Sequence, residues 1–259
     1  MKTLKIILHY SSNSLQQTLS NLSVFFIFLF SKIVRYGMFI AFLYLLFSEV
    51  SSVRGYSREQ MLMFYLVFNI IDTTAQLMFR EVYRFRSLVV SGGFDAVLTK
   101  PFNPIIRSLF GGPDFIDLGM LIIVVSVAIY VASTFIHPSS VQILLFLAMI
   151  INSLLIAAAF HILVLGIGII TFSVDHLVMI YRDLTSLMRI PVDMFTNPMR
   201  SILTFIVPIG IMFTFPAKAL FGLLSWQMVL VSLIVGIVGL LFSIKFWNYS
   251  LKHYQSASS

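Results

Sequence analysis

Asn69, Asp72, Thr73 and Gln76 stand at i, i+3, i+4 and i+7 in an otherwise apolar run, so a helix gathers all four on one face. A carboxylate set among amides and a hydroxyl suits a wet path or a protonatable site. No enzyme constellation accompanies it. The five histidines are scattered, with no H-E-x-x-H pair, and His161 alone in an apolar run reads as a hydrogen-bonded packing residue. The chain has no cysteine, which removes disulfides, thiol chemistry and cysteine metal sites. It has no G-x-x-x-x-G-K-[ST] loop either, so it cannot bind and hydrolyse ATP by that route. Neither catalytic nor metal-ligating residues are expected.

The elements that must position this stripe are helices in lipid. Of the 259 residues 59% are hydrophobic and only 10% are charged. Several apolar runs reach the ~20 residues that cross a hydrocarbon core, and none alternates with the period of two that barrel strands show. The expected fold is therefore all-α, a polytopic membrane protein with six transmembrane helices in one domain over residues 1–259. The spans fall at about Leu22–Phe47, Gln60–Phe79 and Phe115–Ile136, within Val141–Val174, within Ser201–Phe221, and at Trp226–Trp247. The fourth run would reach about 50 Å against a ~30 Å core. It reads as one long helix protruding at one end, since a break at Asn152 and Ser153 would invert everything after it.

Lysine and arginine set the orientation. One set of alternate loops holds Lys2 and Lys5; Arg80, Arg84, Arg86, Lys100 and Arg107; Arg182, Arg189 and Arg200; Lys245 and Lys252. The other holds only Arg54, Arg58 and Lys218. Twelve against three puts both termini in the cytoplasm. The net charge of +7 then belongs to basic loops at the inner face, not to nucleic-acid binding. Leu4, Ile7, Leu8, Leu15, Leu19 and Leu22 mark one face of residues 1–21, which predicts an amphipathic helix along the inner leaflet and no removable signal peptide. Residues 175–189 repeat that pattern with Leu177, Ile180, Tyr181, Leu184, Leu187 and Met188. Ser57-Arg-Glu-Gln60 predicts a capping box at the start of the second span.

An aspartate near mid-membrane costs about 2.5–3.5 kcal/mol on insertion scales, so Asp72 should face protein or water. Measured from the inner ends, Asp72 lies about 12 Å deep and Lys32 about 15 Å. The stripe lines a translocation path, or it serves a structural pair of Asp72 with Lys32 or Arg35. Pro208 and Pro216 should break or kink the fifth span, as a hinge or a re-entrant element or as a static kink. Ser232, Gly236, Gly239 and Ser243 share a small-residue face that allows close helix approach, inside the subunit or across a dimer.

Between the second and third spans lies Ser91-Gly-Gly-Phe-Asp-Ala-Val-Leu-Thr-Lys-Pro101. Gly92-Gly93 allows a sharp turn, and Phe94–Thr99 can form a short helix before Pro101. Such an element suits contact with a soluble partner, or it is an ordinary solvated loop. Together with Gly55-Tyr56-Ser57, Gly93-Phe-Asp95…Leu98…Pro101…Pro104, Pro191-Val-Asp-Met-Phe195, Val207-Pro208…Phe215-Pro216-Ala217 and the tail Tyr254-Gln-Ser256-Ala257-Ser258, it resembles the six-span permeases of type-2 ATP-binding-cassette (ABC) exporters whose ATPase is a separate chain. Ile190 departs from that pattern, which usually has an aromatic before the proline. The resemblance implies two permease subunits, identical or homologous, with two cytoplasmic ATPase subunits that carry the ATP and Mg. It implies that Phe94, Asp95 and Leu98, with Gly93 and Pro101 framing them, seat in an ATPase groove, helped by Arg84, Arg86 and Lys100. No cofactor is then expected on this chain, and the cytoplasmic membrane of a prokaryote is the expected site.

The rival functions are an ion-driven secondary transporter, with Asp72 as the carrier site, and a non-transporting scaffold or sensor. Asp72→Asn is expected to reduce transport while leaving expression intact, measured as flux against folded protein. Loss of the folded protein would mark a structural pair instead.

Overall fold

The computed structural model describes residues 2–171 and 174–255, and the described residues are almost wholly helical. Helices α1 (Lys2–Leu19), α2 (Leu22–Glu49) and α3 (Arg58–Phe79) lead into a 3-10 turn at Arg80–Arg84. Three short helices follow, α4 (Phe85–Val90), α5 (Gly93–Leu98) and α6 (Pro104–Phe110). Then come α7 (Phe115–Val131), α8 (Ser140–Thr171), α9 (Asp175–Ser186), α10 (Met199–Ser201), α11 (Ile209–Leu220) and α12 (Trp226–Lys252). Among the described residues, five helical segments are long and apolar enough to cross a membrane, or six if a bent pair at residues 199–220 counts as one.

Several sequence expectations are met locally. Ser57 caps α3 by accepting from the Gln60 amide, and Gln60 accepts from the Ser57 amide at 3.0 Å. Asn152 and Ser153 do not break α8. Asn152 donates to the Ser232 carbonyl at 3.0 Å and Ser153 to the Met212 carbonyl at 2.6 Å, so both bind α8 to its neighbours. The small face of α12 serves the same contact: Ser232, Gly236 and Ser243 are buried, and Gly236 lies against the Asn152 side chain with no room for a Cβ. The close approach that sequence left open between subunit and dimer is thus made inside the subunit.

The molecule has two ends. Tyr56, Asp193 and Lys218 meet at one of them, where Ser57, Gln142 and Phe221 also line one small cavity. At the other, Phe94 packs on Trp247 and Tyr254, and Arg86 pairs with Asp175 at 3.4 Å.

These contacts correct two expectations. Residues 175–189 were expected along the inner leaflet and 201–221 as the fifth span. Instead the chain passes between the ends through α9, which starts at Asp175 beside Arg86 and sets Tyr181 edge-on against His161. A 3-10 turn at Leu187–Arg189 extends it, and Ile190 reaches the cluster of Phe47, Tyr56 and Met61. Fifteen helical residues rise only about 22 Å, and the extended Ile190 and Pro191 carry the chain on to a 3-10 turn at Val192–Met194. Residues 199–220 form a hairpin, with Met199–Ile206 and Ile209–Leu220 meeting at 91°. Arg200 in the first arm and Lys218 in the second both pair with Asp193, at 2.5 Å and 2.9 Å, so both arms open at the same end.

Pro208 stands at this break, where its missing N–H and fixed φ end the preceding helix. Pro216 sits inside α11, which continues through it, so only one of the two expected hinge prolines marks a bend. Arg182 and Arg189 leave the inner loops for the side of α9, and Arg200 moves to the Tyr56 end. Taken from the twelve basic residues at the Gly93 end, they leave nine there against four at the Tyr56 end.

Asp193 holds the hairpin in place. It accepts from the Tyr56 hydroxyl at 2.7 Å and from Lys218 and Arg200. Burial alone would raise its carboxyl, but the hydroxyl and the two cations outweigh burial and keep it below the usual carboxylate range. A depressed folded pKa contributes stability that is present above the unfolded value of about 3.9 and lost as pH falls through the folded one. Asp193→Ala is expected to cost about 2–3 kcal/mol at pH 7, below the figure for a fully buried pair because Arg200 is half exposed. In thermal melts of the solubilised protein, the gap between native and variant should close below about pH 4.

Candidate functional site

α2, α3, the first turn of α7 and α9 enclose a cleft of about 1060 Å³. Asn69, Asp72 and Gln76 line it, as the stripe on α3 predicts. Thr73 does not: it is buried, with its hydroxyl 3.3 Å from the Tyr36 hydroxyl. Gln76 donates to Asp72 at 2.7 Å, and Asn69 donates back to the Tyr65 carbonyl at 2.7 Å.

The Asp72–Lys32 pair is not formed. Lys32 bonds Asp117 in the first turn of α7, and among the described residues Asp72 makes no salt bridge. Depth alone made Lys32 and Asp72 plausible partners. Asp117 lies at the Gly93 end of the next helix and is buried, so it answers Lys32 first. Asp72 is thus not the sole carboxylate held within the helical body. Arg80 and Asp114 make a second pair at the same end of the cleft, 3.5 Å apart.

Sequence reading missed the α9 wall. Arg182 and Arg189 line the cleft opposite Asp72, together with Tyr181, and Arg35 faces them from α2. Their signal was present: basic residues at 182 and 189 lie seven apart, two helical turns, beside apolar positions. That pattern describes a surface helix equally well. The cleft is graded along its length. Lys32, Asp72, Arg80, Asp114, Asp117 and Arg182 crowd the part nearer the Gly93 end, and Phe39, Phe42, Tyr65 and Phe68 line the other part.

The second candidate site is α5 and its flanks. Gly92 has a φ of 72°, the left-handed turn that precedes α5 and that glycine adopts without steric cost. Phe94 is fully buried, in edge contact with Phe85, Trp247 and Tyr254. That corrects its expected place in a partner's groove: it is the anchor of α5, not its tip. Asp95 is half-buried beside the Tyr254 phenol, and burial and then this carboxylate push the phenol up to about 12, so it keeps its proton. The outward surface belongs to Ala96, Leu98, Thr99, Lys100 and Pro101, with Gly93 half-buried beneath. Arg84 and Arg86 are also exposed, although Arg84 leans on Glu81 at 3.4 Å and Arg86 on Asp175. Ser256–Ser258, the last part of the tail pattern, lie outside the described residues.

Residues 33–258 match a family model described as ABC-2 family transporter protein. Comparison with curated proteins and with solved structures returned no match. The matched stretch takes in α5, the Asp193 hairpin and the cleft lining apart from Phe28, Ser31 and Lys32.

Phe94→Ala is expected to destabilise the solubilised protein by about 3–5 kcal/mol, as removal of a buried phenyl ring does. Leu98→Ala, four residues on and exposed, should stay within about 0.5 kcal/mol of native. Thermal unfolding of the two variants measures the contrast. Equal effects would show that the aromatic cage does not anchor α5.

Proposed function

The chain belongs to the ABC-2 family of transporter proteins, and we propose that it serves there as the permease subunit of an exporter driven by a separate cytoplasmic ATPase. As a member of that family it is a multi-pass membrane protein and a transport subunit rather than an enzyme. We place the Gly93 end in the cytoplasm, because it holds nine of the basic residues against four at the Tyr56 end. Both α1 and the end of α12 then lie on the cytoplasmic side of a prokaryotic inner membrane.

One observation carries the reading. α5 presents a small exposed face, Ala96, Leu98 and Lys100, on a rigid aromatic footing that includes Trp247 of α12 and Phe85 of α4. A solvated loop needs no such footing. A surface that receives force does, because a load on a loose loop is absorbed by the loop. From Trp247 the force follows α12 onto α8, through the Ser232–Asn152 bond and the Gly236 contact. From α8 it reaches the cleft wall at the His161–Tyr181 contact. ATP and Mg would sit on the partner, whose closure moves α5 and alters the cleft. A second permease subunit, identical or homologous, faces this one in the assembly.

The cleft is the path in this scheme, with Asn69, Asp72 and Gln76 on its α3 wall. The place of Asp72 in the cleft, without a salt bridge among the described residues, also supports the rival, an ion-driven carrier, and the two differ in their need for an ATPase.

The test is co-purification from detergent of the chain with the ATPase encoded beside it. Native chain should retain the ATPase, and Ala96→Arg with Leu98→Asp, both on the exposed face, should lose at least nine-tenths of it at an unchanged melting temperature. Failure of the native chain to capture a co-expressed ATPase would overturn the reading. Export that stops on collapse of the proton gradient alone would favour the carrier.

A further inference from the structure

The charges in the cleft do not cancel. Lys32 is bound to Asp117 and Arg80 to Asp114, which removes two pairs. Arg35, Arg182 and Arg189 remain, all exposed to the cleft and without a salt bridge among the described residues. Asp72 and Asp183 are the carboxylates left to face them, and Asp72 already accepts from Gln76. Arg35 lies over the Tyr36 ring, 5.2 Å from its centre, which fixes the stem and leaves the guanidinium edge open. The buried Tyr181 hydroxyl on the same wall has no hydrogen-bond partner among the described residues.

Guanidinium edges are shaped for planar or tetrahedral oxyanions, which they grip with two parallel N–H bonds. In a cleft walled by apolar helices such a grip is stronger than in water. Beyond the arginines the wall turns aromatic, with Phe39, Phe42, Tyr65 and Phe68. A ligand that satisfies both parts has an acidic head and an apolar tail. The volume of about 1060 Å³ stands at the upper edge of the roughly 300–1,000 Å³ of ordinary small-molecule sites, so a long tail fits. The α2 side offers such molecules a way in from lipid, because Phe28, Val34, Met38 and Phe42 both line the cleft and are exposed.

We infer that the cleft takes amphiphiles with an anionic head, whose oxygens are held by Arg35 and Arg182 under the added positive field of Arg189 two helical turns further along, and whose tail lies on the aromatic part. This rests on the reading of the cleft as the path and names the substrate class for it. A carboxylate, a phosphate or a sulfonate head shares the required chemistry. A cationic amphiphile does not, since it would face three guanidiniums to reach Asp72.

The experiment uses the full chain in phosphatidylcholine nanodiscs and the fluorescent probe 11-dansylamino-undecanoic acid. Its uncharged primary amide and a dansyl alkylammonium are the comparison probes, and inorganic phosphate is the competitor. The acid is expected to bind at least tenfold more tightly than either comparison probe. Arg35→Gln with Arg182→Gln and Arg189→Gln should abolish that preference and leave amide binding within about twofold of native. If the triple variant does not fold, the three single variants should each weaken the acid by about threefold or more, and Arg200→Gln, at the far end, should not. A native chain with no preference for the acid, a preference for the ammonium, or a folded triple variant that keeps the preference overturns the inference. Displacement of the probe by phosphate at the concentration that displaces it for free undecanoate would overturn the role of the tail.

Failure of the path reading is seen separately. The chain has no cysteine, so Gln76→Cys offers a single maleimide target inside the cleft. If labelled protein assembled with its ATPase turns over ATP as unlabelled protein does, the cleft is not the path. If labelling slows turnover but the acid is not preferred, only the substrate class is wrong.

Discussion

Charge in an apolar solvent has to be paired, hydrogen-bonded or wet, and the arrangement of this protein follows from that constraint. Its long helices present Phe, Leu and Ile outward, and the polar side chains of α2, α3 and α9 turn toward one another. Lys32 and Asp117 solve the problem by pairing, and Asn152, Ser153 and Thr73 by bonding to neighbouring helices or side chains. Asp72, Arg35, Arg182 and Arg189 are left with the third solution, an open cleft. A cleft that exists because charges need it is also the place where a charged ligand can replace water.

The same constraint shapes the two ends. The hairpin at residues 199–220 exposes broken backbone at Val207 and Pro208, which lipid would not tolerate. Val207 and Pro208 are half-buried, Leu203, Ile209 and Gly210 around them are buried, and the hairpin's two arms are clamped by one carboxylate. At the opposite end aromatic rings do the holding. Phe85, Phe94, Trp247 and Tyr254 pack edge to face, an arrangement worth roughly 0.5–1.5 kcal/mol per pair beyond the area buried. Ionic clamping and aromatic packing differ in range and in stiffness. The ring cluster transmits displacement because its atoms are in contact, which suits the end proposed to meet the ATPase.

Much of this was legible in the sequence. Apolar runs of twenty residues or more gave up their positions to within a few residues, because length and composition alone decide them. The stripe on α3 was legible from spacing, as was the α3 cap and the break at Pro208. What escaped depends on partners. A short amphipathic helix with arginines on one side reads identically whether the arginines meet headgroups or a cleft, so α9 was misplaced. The burial of Phe94 was hidden because a six-residue helix has too few turns to show a face. Lys32 could reach either Asp72 or Asp117 by depth, and only the packing of α7 against α2 and α3 chose between them.

The grading of the cleft also bears on how cargo and coupling fit together. Arg182 sits on α9, whose Tyr181 packs edge-on against His161 of α8, and Asn152 and Gly236 bind α8 to α12. In the proposed coupling, a shift that starts at Trp247 reaches His161, which touches both Tyr181 of α9 and Phe79 of α3. Holding the head between Arg182 on α9 and Arg35 on α2 makes the grip depend on their separation. If α9 moves away from α2, Arg35 parts from Arg182 and the oxyanion loses one of its two supports. Release then needs no further charge in the path, only a change in distance between guanidiniums that repel each other once the anion between them has gone.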